Sequence, residues 1–596
     1  MLLRKWAVFA ITWHRQLQVL NNSDKIWQVK DDPSSASWLA GKVGISKLLA
    51  TLLIHRKVSA PDAAQSFLFP KLGALRDPFL FMDMDRAVEL ITTCVRNQKR
   101  ITIYGDYDAD GITATALLVD FFSRLEAPIS FYIPHRLEEG YSLNEAAIRK
   151  IAAGDTELII TVDCGISSPS EIDLAKSLGL EVVVTDHHQL PAHFEPRCPT
   201  INPFRPDCSF PFQGLSGVGL AFYLTIAIRA DLRESGFFGS KGEPDLRPYL
   251  DLVALGTVAD IVPLLEENRI LVKNGLSILR ESQRPGIKEL LRVSGINKDR
   301  EITTYDIAFK LAPRLNAMGR LGSVTRAVQL LTTDNEKEAA EIAAHMDSLN
   351  TQRQTIENRI LSEVRERIVR SDDLERQRTI VLSDPSWHRG IVGIVASKIV
   401  DEHYRPTLIL EAEGELLRGS GRSIDGFDLY QALFDLSGLL KQFGGHGHAA
   451  GVTLEAKNLR EFCKRFEELA RKRIDPKDMA PKIDVDARLG LESINPRLLR
   501  ELEMLPPFGD KNPQPIFWAG PLVVVFSKVV GNDHLKLRIK EKGITFDCIA
   551  FGKGAIHPLK GRSVDILFQV GTNTWQGIES IQLMIVDLKI NPSDDA

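Results

Sequence analysis

Ile101-Thr-Ile-Tyr104 leads straight into Gly105-Asp-Tyr-Asp-Ala-Asp-Gly111, and a helix-like stretch, Thr113–Leu125, follows at once. Short apolar runs recur at Leu158-Ile-Ile-Thr-Val162 and Glu181-Val-Val-Val-Thr185, with another helical stretch, Ser170–Leu178, between them. Strands that are apolar throughout, rather than at alternate positions, have both faces buried. Their alternation with helices is the pattern of a parallel sheet covered on both sides. The fold class read from residues 101 to about 265 is therefore α/β.

The chemistry sits where these strands end. In an extended loop alternate residues point the same way, so Asp106, Asp108 and Asp110 can converge on hard cations. An EF-hand loop shares the D-x-D-x-D-G spacing, but its twelfth position needs a bidentate Glu, and here that position is Leu117. A solvated acidic turn is the plainer alternative. The next strands end in Thr161-Val-Asp163-Cys-Gly165 and Thr185-Asp186-His187-His188. Gly256-Thr-Val-Ala-Asp260 places a further acid at the end of the very apolar stretch Leu250–Ile261, where a buried helix-capping Asp is the rival reading. Open parallel sheets bind ligands at the carboxyl ends of their strands, so these groups share one rim. Carboxylates with imidazoles suit Mn²⁺ or Mg²⁺ rather than thiolate-bound zinc. Two such ions, about 3.5–4 Å apart, would offset the mutual repulsion of the acids and support an in-line phosphoryl displacement.

Outward from this core the 596 residues suggest several domains, with the 44% hydrophobic and 26% charged content of a soluble protein. The opening Met1–Trp13 is basic then apolar but short, and no small-x-small cleavage pattern follows, so no export leader is expected. No apolar run approaches the ~18 residues of a membrane span. Six scattered cysteines without a C-x-x-C pair fit a reducing cytoplasm. The net charge of −4 means that any nucleic-acid binding must come from a local basic groove. Apolar residues at helical period predict one helix over 334–370, about 55 Å long at ~1.5 Å per residue. A second α/β unit follows from Thr379, with Gly-rich loops near 419 and 444. Beyond Asp475–Lys482 short strands (Leu522–Phe526, His534–Ile539, Thr545–Phe551, Val564–Val570) predict a small barrel or sandwich. On the strand His534–Lys540 the basic Lys536, Arg538 and Lys540 share one face, opposite Leu535, Leu537 and Ile539. That basic face, beside Trp518 or Trp575, suits a strand-tracking groove, and an ordinary solvated face is the alternative.

The motifs at 105–111, 162–167, 185–188 and 256–264 resemble, in order, those of the DHH phosphoesterases. Pro313-Arg-Leu-Asn-Ala-Met-Gly-Arg320, Trp387–Gly393 and Gly444-Gly-His-Gly-His-Ala-Ala-Gly451 are similar to those of one branch, the RecJ single-stranded-DNA exonucleases. The resemblance runs from about residue 70 to the C-terminus. It implies a DHH parallel-sheet domain at 76–332 after an N-terminal segment 1–75, and a connecting helix at 333–372. A DHHA1-like substrate-binding domain at 373–476 and an oligonucleotide-binding barrel at 477–596 complete the implied plan.

Residue by residue, Asp108, Asp110, Asp163, His187 and Asp260 match the family's ligands for two Mn²⁺ or Mg²⁺ ions, with Asp163 in the bridging place. Asp106 is the candidate for the ligand position that other branches fill with a His where this chain has Tyr104. His188 matches the residue that contacts the scissile phosphate, and Asp186 is expected to orient its neighbours. Arg136, Arg314, Asn316 and Arg320 are the candidate phosphate grips. Ser420, Arg422 and Ser423, with Gly445 and His446, form turns whose N–H groups can cradle phosphate, tight structural turns being the alternative. The implied activity is 5′→3′ hydrolysis of single-stranded DNA in recombination and repair. A monomer without a membrane anchor is expected, with a single-strand-binding protein and a helicase as candidate partners. A phosphodiesterase for short oligonucleotides or cyclic dinucleotides is the second enzyme reading, and a non-catalytic binding scaffold the third.

Overall fold

The computed structural model describes residues 25–592 apart from 137, 138, 141, 240, 241, 298, 371–375, 576 and 577, so the Met1–Trp13 leader question lies outside the described residues. The chain divides into two compact units, one of Arg56–Thr351 with Met504–Gln514, the other of Met1–His55, Gln352–Glu503 and Pro515–Ala596.

The first unit is built on five parallel strands: β1 (Arg100–Gly105), β2 (Ile129–Tyr132), β3 (Thr156–Val162), β4 (Glu181–Thr185) and β5 (Thr200–Ile201). Their order is β2-β1-β3-β4-β5. The two faces feed separate cores. Ile101, Ile103, Leu158, Ile160 and Val162 enter one, and Tyr104, Ile159, Val182 and Val184 the other. Both sides being dry explains why the strands are apolar without alternation. Helices α1 (Ala109–Arg124), α2 (Gly217–Glu234), α3 (Leu250–Ala259) and α4 (Ala312–Leu321) complete what the site needs. Every residue of α3 from Leu250 to Val258 is buried, which accounts for that uniformly apolar stretch.

α5 (Glu336–Arg370) is one 35-residue helix, as the periodicity predicts. Its Ala339, Ile342, Met346 and Leu349 enter the first unit's core, whereas Ile360, Leu361, Val364 and Ile368 enter a core of the second. In the second unit β6 (Ile380–Asp384), β7 (Thr407–Glu413), β8 (Leu416–Arg422), β9 (Leu440–His446) and β10 (Ala449–Glu455) form a mixed sheet of order β9-β10-β8-β7-β6, with α6 (Arg389–His403) connecting β6 to β7. The segments around 419 and 444, expected as glycine turns, are strands on either side of β10, with Gly451 opposite both Ser420 and Gly444. Glycine serves close backbone approach instead. A Cβ on Gly419 would collide with the Ile409 carbonyl of β7, and one on Gly445, at φ +138°, with the Ala449 carbonyl.

The C-terminal strands β11 (Phe517–Val530), β12 (His534–Glu541), β13 (Ile544–Ala550), β14 (Ser563–Trp575) and β15 (Ile578–Ile590) pair in the order β11-β12-β13-β15-β14. β14 also pairs with β11, so this is a closed five-stranded barrel. Leu535, Leu537 and Ile539 fill its core. The N-terminal segment, which carries no sequence signal, joins this unit: Ile26–Val29 pairs in parallel with Lys482–Val485. Beside it Asp587, fully buried, accepts hydrogen bonds from Trp27 Nε1 (2.9 Å) and Lys553 Nζ (3.0 Å). Lys25 is buried nearby, and burial lowers its pKa to about 8 against the pull of Asp587. Removing one member of a buried ion pair strands the other's charge, at a cost of about 3–5 kcal/mol. Asp587→Ala is therefore expected to destabilise the barrel unit by that amount. An unchanged midpoint in urea unfolding, followed by tryptophan fluorescence, would contradict this.

Candidate metal centre

In the order β2-β1-β3-β4-β5 the chain leaves β1 toward one edge and β3 toward the other. The ends of β1 and β3 therefore border the crevice where such sheets bind ligands. Asp106 follows β1, Asp163 follows β3, and Asp186, His187 and His188 follow β4. Asp108 caps α1, its Oδ1 accepting from Asp110 N (2.9 Å) and Gly111 N (3.1 Å). Asp110 faces the start of α2, and its two oxygens accept from Gly217 N (2.6 Å) and Val218 N (2.9 Å). A carboxylate there is favoured by the helix dipole. Asp163 turns the chain in the left-handed region, at φ +63°. Asp260 is the cap residue at the carboxyl end of α3, its backbone N–H donating to Gly256 O.

These groups converge. His187 Nε2 lies 3.0 Å from Asp163 Oδ1, 3.5 Å from Asp260 Oδ2 and 4.0 Å from Asp110 Oδ2. Three sets have ligand atoms within 4.8 Å of one another: Asp106–Asp108–Asp163, Asp163–His187–His188 and Asp110–His187–Asp260. Asp163 belongs to two of them, at the centre of the array. Asp186 stands one step back: its Oδ1 accepts from His188 N (3.0 Å) and pairs with His188 Nδ1 (2.7 Å), while its Oδ2 accepts from Ile166 N (2.9 Å).

The electrostatics call for added positive charge. Burial, reinforced by the neighbouring carboxylates, pushes Asp106 and Asp163 well above the usual range, Asp110 to about 7 and Asp260 to about 9. Burial and the adjacent His188 lower His187 to about 4, which leaves a neutral imidazole, the ligating form. His188 goes the other way: burial would lower it, but Asp186 holds it up at about 9. Asp186, although buried, is kept below the ordinary range by His188. Asp106 Oδ1 and His187 Nε2 are buried and lack hydrogen-bond partners among the described residues. Oxygen-rich donors, a neutral imidazole and orphaned ligand atoms fit divalent cations such as Mn²⁺ or Mg²⁺.

A cavity of about 300 Å³ opens on this array, lined by Asp106, Tyr107, Asp108 and His188 and by three expected phosphate grips, Arg136, Asn316 and Arg320. Arg136 lies over the Tyr107 ring at 4.8 Å. Asn316 also has a structural task, its Oδ1 accepting from Ala109 N at 2.8 Å. Arg314 differs from the expectation. Its guanidinium is committed to Asp347 (2.9 Å) and to the carbonyls of Lys310 (2.6 Å) and Val293 (3.3 Å). Residues 316 and 320 share a face of α4, whereas 314 lies two residues from 316, on the other side.

In the second unit Arg422 and His446 both pair with Ala449 across β10. Ser420 Oγ accepts from Arg422 at 2.8 Å, the Ser423 hydroxyl donates to Phe427 O at 2.7 Å, and Gly445 sits within β9. On the barrel, Arg538 pairs with Asp547 at 2.7 Å and Lys536 approaches the same carboxylate at 4.0 Å. Trp518 is packed against Trp27 and Arg488, and the side chain of Trp575 lies outside the described residues.

Reading residue types missed the glycines that let the acids meet. A Cβ on Gly217 would lie 2.7 Å from Asp163 Cβ, one on Gly256 2.8 Å from Asp110 Oδ1, and one on Gly319 would collide with the Tyr107 carbonyl. A glycine inside a helical motif was the available signal.

Comparison with known proteins adds three matched family models: "DHH family, N-terminal domain" over residues 100–257, "DHHA1 domain" over 376–472 and "RecJ OB domain" over 485–587. The single-stranded-DNA-specific exonuclease RecJ of Bacillus subtilis is 38% identical over 574 residues, covering 95% of this chain and 71% of that protein. That of Escherichia coli is 39% identical over 522 residues, covering 84% of this chain and 89% of that protein. The crystal structure of RecJ with Mn²⁺ from Thermus thermophilus superposes with a TM-score of 0.81 at 29% identity, covering 96% of this chain and 80% of that one.

Gly319→Ala tests how tightly α4 braces the acidic loop. The added methyl must push back the Tyr107 carbonyl, between Asp106 and Asp108. Disturbing the support behind metal ligands commonly costs 10–100-fold in affinity, so Mn²⁺ affinity by calorimetry should fall by about that factor. Wild-type affinity in this variant would show that the contact does not position the ligands.

Proposed function

The chain belongs to the RecJ family of single-stranded-DNA-specific exonucleases, and from that premise we propose that it hydrolyses single-stranded DNA from the 5′ end with two bound divalent ions. The observation that carries this reading is a cavity whose wall joins Asp106 and Asp108, members of the six-ligand array, to His188, Arg136, Asn316 and Arg320. Asp106, Asp108, Asp110, Asp163, His187 and Asp260 would hold Mn²⁺ or Mg²⁺, with Asp163 shared. Such ions supply Lewis-acid charge and an activated water for in-line displacement.

The chain's own residues do the rest. Asp186 fixes His188 by its Nδ1, so Nε2 is the atom left to meet the substrate, and the Asp186 carboxylate favours the protonated ring. An imidazolium beside the scissile phosphate favours the charge that builds during displacement. Arg136 and Arg320 would grip the terminal phosphate with planar forks, which sets the polarity. Ser420, Arg422 and His446 of the DHHA1 region are assigned to the strand further along, and the closed barrel favours a long strand over a dinucleotide. We assign the five regions 1–75, 76–332, 333–372, 373–476 and 477–596 as functional segments. The setting we propose is cytoplasmic recombination and repair by a monomer, served by a helicase and a single-strand-binding protein. Six free cysteines suit a reducing compartment, and among the described residues no single helix is long and apolar enough to cross a membrane.

The direct test offers 5′-labelled single strands, blunt duplex and dinucleotides with Mn²⁺, Mg²⁺ or chelator. Mononucleotides released first from the labelled end of single strands, in metal only, are expected, with blunt duplex largely spared. Asp163→Ala should lose several orders of magnitude in rate with either metal, as removal of one member of a cooperating catalytic set does. Cleavage by this variant at a tenth of the wild-type rate would defeat the shared-ligand assignment.

The barrel's role has its own measurement. Each phosphate neutralised on a single strand contributes about −0.7 to the log–log salt slope of binding. Replacing Lys536, Arg538 and Lys540 together by Ala should flatten the slope for a long oligonucleotide by up to about two units. An unchanged slope would remove this strand from the substrate path.

A further inference from the structure

The outer face of the barrel carries an aromatic ring that a regular strand would have buried. β11 and β12 pair in the register Val523↔Lys540, Val524↔Ile539, Phe526↔Arg538, Ser527↔Leu537 and Lys528↔Lys536. Between the second and third pairs β12 advances one residue and β11 two, the extra residue being Val525. Side chains alternate along a strand, so without this bulge Val525 would stand outside with Val523 and Phe526 would point inward. The bulge re-aims the ring. Phe526 is 43% exposed and faces Arg538 across the ladder; Val523, 50% exposed, faces Lys540, and exposed Lys528 faces Lys536.

A lone exposed Phe needs no explanation. A bulge that takes one out of the core and sets it among four cations does. On the far side of β12, Lys536, Arg538 and Lys540 face Ile549, Asp547 and Thr545 of β13. Asp547 is the one carboxylate in these pairs, so four cations against one anion leave the strip with three net positive charges.

We propose that this strip is a base-stacking site for single-stranded nucleic acid, in which Phe526 takes the face of one base and Lys528, Lys536, Arg538 and Lys540 take the flanking phosphates. It rests on the exonuclease reading above and names a stacking residue for it. The chemistry is that of sequence-independent binding, because every base offers a π-face and every linkage a phosphate.

The test measures binding of a long oligothymidine to the full chain in chelator, at several salt concentrations. Phe526→Ala should weaken affinity by about 5- to 150-fold, the worth of one stacked base. That loss should be equal at every salt concentration, since stacking displaces no counterions, whereas Lys528→Ala should flatten the slope by about 0.7. Phe526→Trp should restore binding, and on an abasic strand wild type and Phe526→Ala should bind alike. Wild-type affinity in Phe526→Ala, or an equal loss on the abasic strand, would overturn the proposal. A thermal melt of Phe526→Ala matching the wild type keeps the comparison free of misfolding. Cleavage by wild-type protein in Mn²⁺, and its loss in Asp163→Ala, tests the enzyme reading separately, so the two failures are distinguishable.

Discussion

Buried carboxylates repel one another, and the first unit is arranged around tolerating that repulsion. Asp106, Asp110 and Asp163 are almost wholly buried and lie within one constellation with Asp108, Asp260 and His187. Desolvation and like charge both oppose ionisation there, by up to 3–5 pKa units for fully buried groups. The fold answers in two ways. Backbone N–H groups take part of the load: both oxygens of Asp110 rest on the first turn of α2, and Asp108 caps α1. The remainder is left for cations, since Asp106 Oδ1 and His187 Nε2 are buried without hydrogen-bond partners among the described residues.

Much of the surrounding architecture follows from bringing these acids together. Only parallel strands with their carboxyl ends on one rim deliver Asp106, Asp163 and His187 to neighbouring positions, and such strands require helices on both faces. α2 must start where Asp110 ends, and α3 must end where His187 reaches Asp260. At that density there is no room for a Cβ at Gly217, Gly256 or Gly319, so the helices approach through glycines. The apolar character of α3 is the other side of the same arrangement, because a helix that carries a ligand at its end has to be anchored in the core along its length.

What the sequence made legible follows from how local each signal is. The β1 loop and the ends of β3 and β4 were readable because strand, acid and turn are consecutive, and α5 because 35 residues of helical period leave little ambiguity. The glycines near 419 and 444 were misread because turn propensity is a local rule, while their role is set by the Ile409 and Ala449 carbonyls across the sheet. Arg314 was grouped with Arg320 by motif, although Asp347, thirty-three residues on, claims its guanidinium. Trp518 looked like a stacking surface until Trp27, nearly five hundred residues earlier, was found against it. Ile26–Val29 carried no pattern at all, since a four-residue strand is specified by the partner it joins. Phe526 was hidden by its bulge, which no alternation rule reveals from one strand alone.

The charge distribution also links the metals to the substrate. With a net charge of −4 and an acidic array in its cavity, the protein without ions would present a polyanion with a repulsive centre flanked by Arg136 and Arg320. Divalent ions would offset the carboxylate charge of that centre, so their binding and that of a phosphate chain would favour each other through the field, apart from any direct bond. Linkage makes this reciprocal: whatever the ions add to strand affinity at the cavity, the strand adds to ion affinity. The barrel strip stands outside this coupling. Its cations belong to side chains whose charge does not depend on a metal, so capture of the strand by the barrel, as proposed above, would persist when the cavity is empty of ions. On that proposal the electrostatics divide into a constant part, the barrel cations, and a switchable part, the ion-dependent field at the acids.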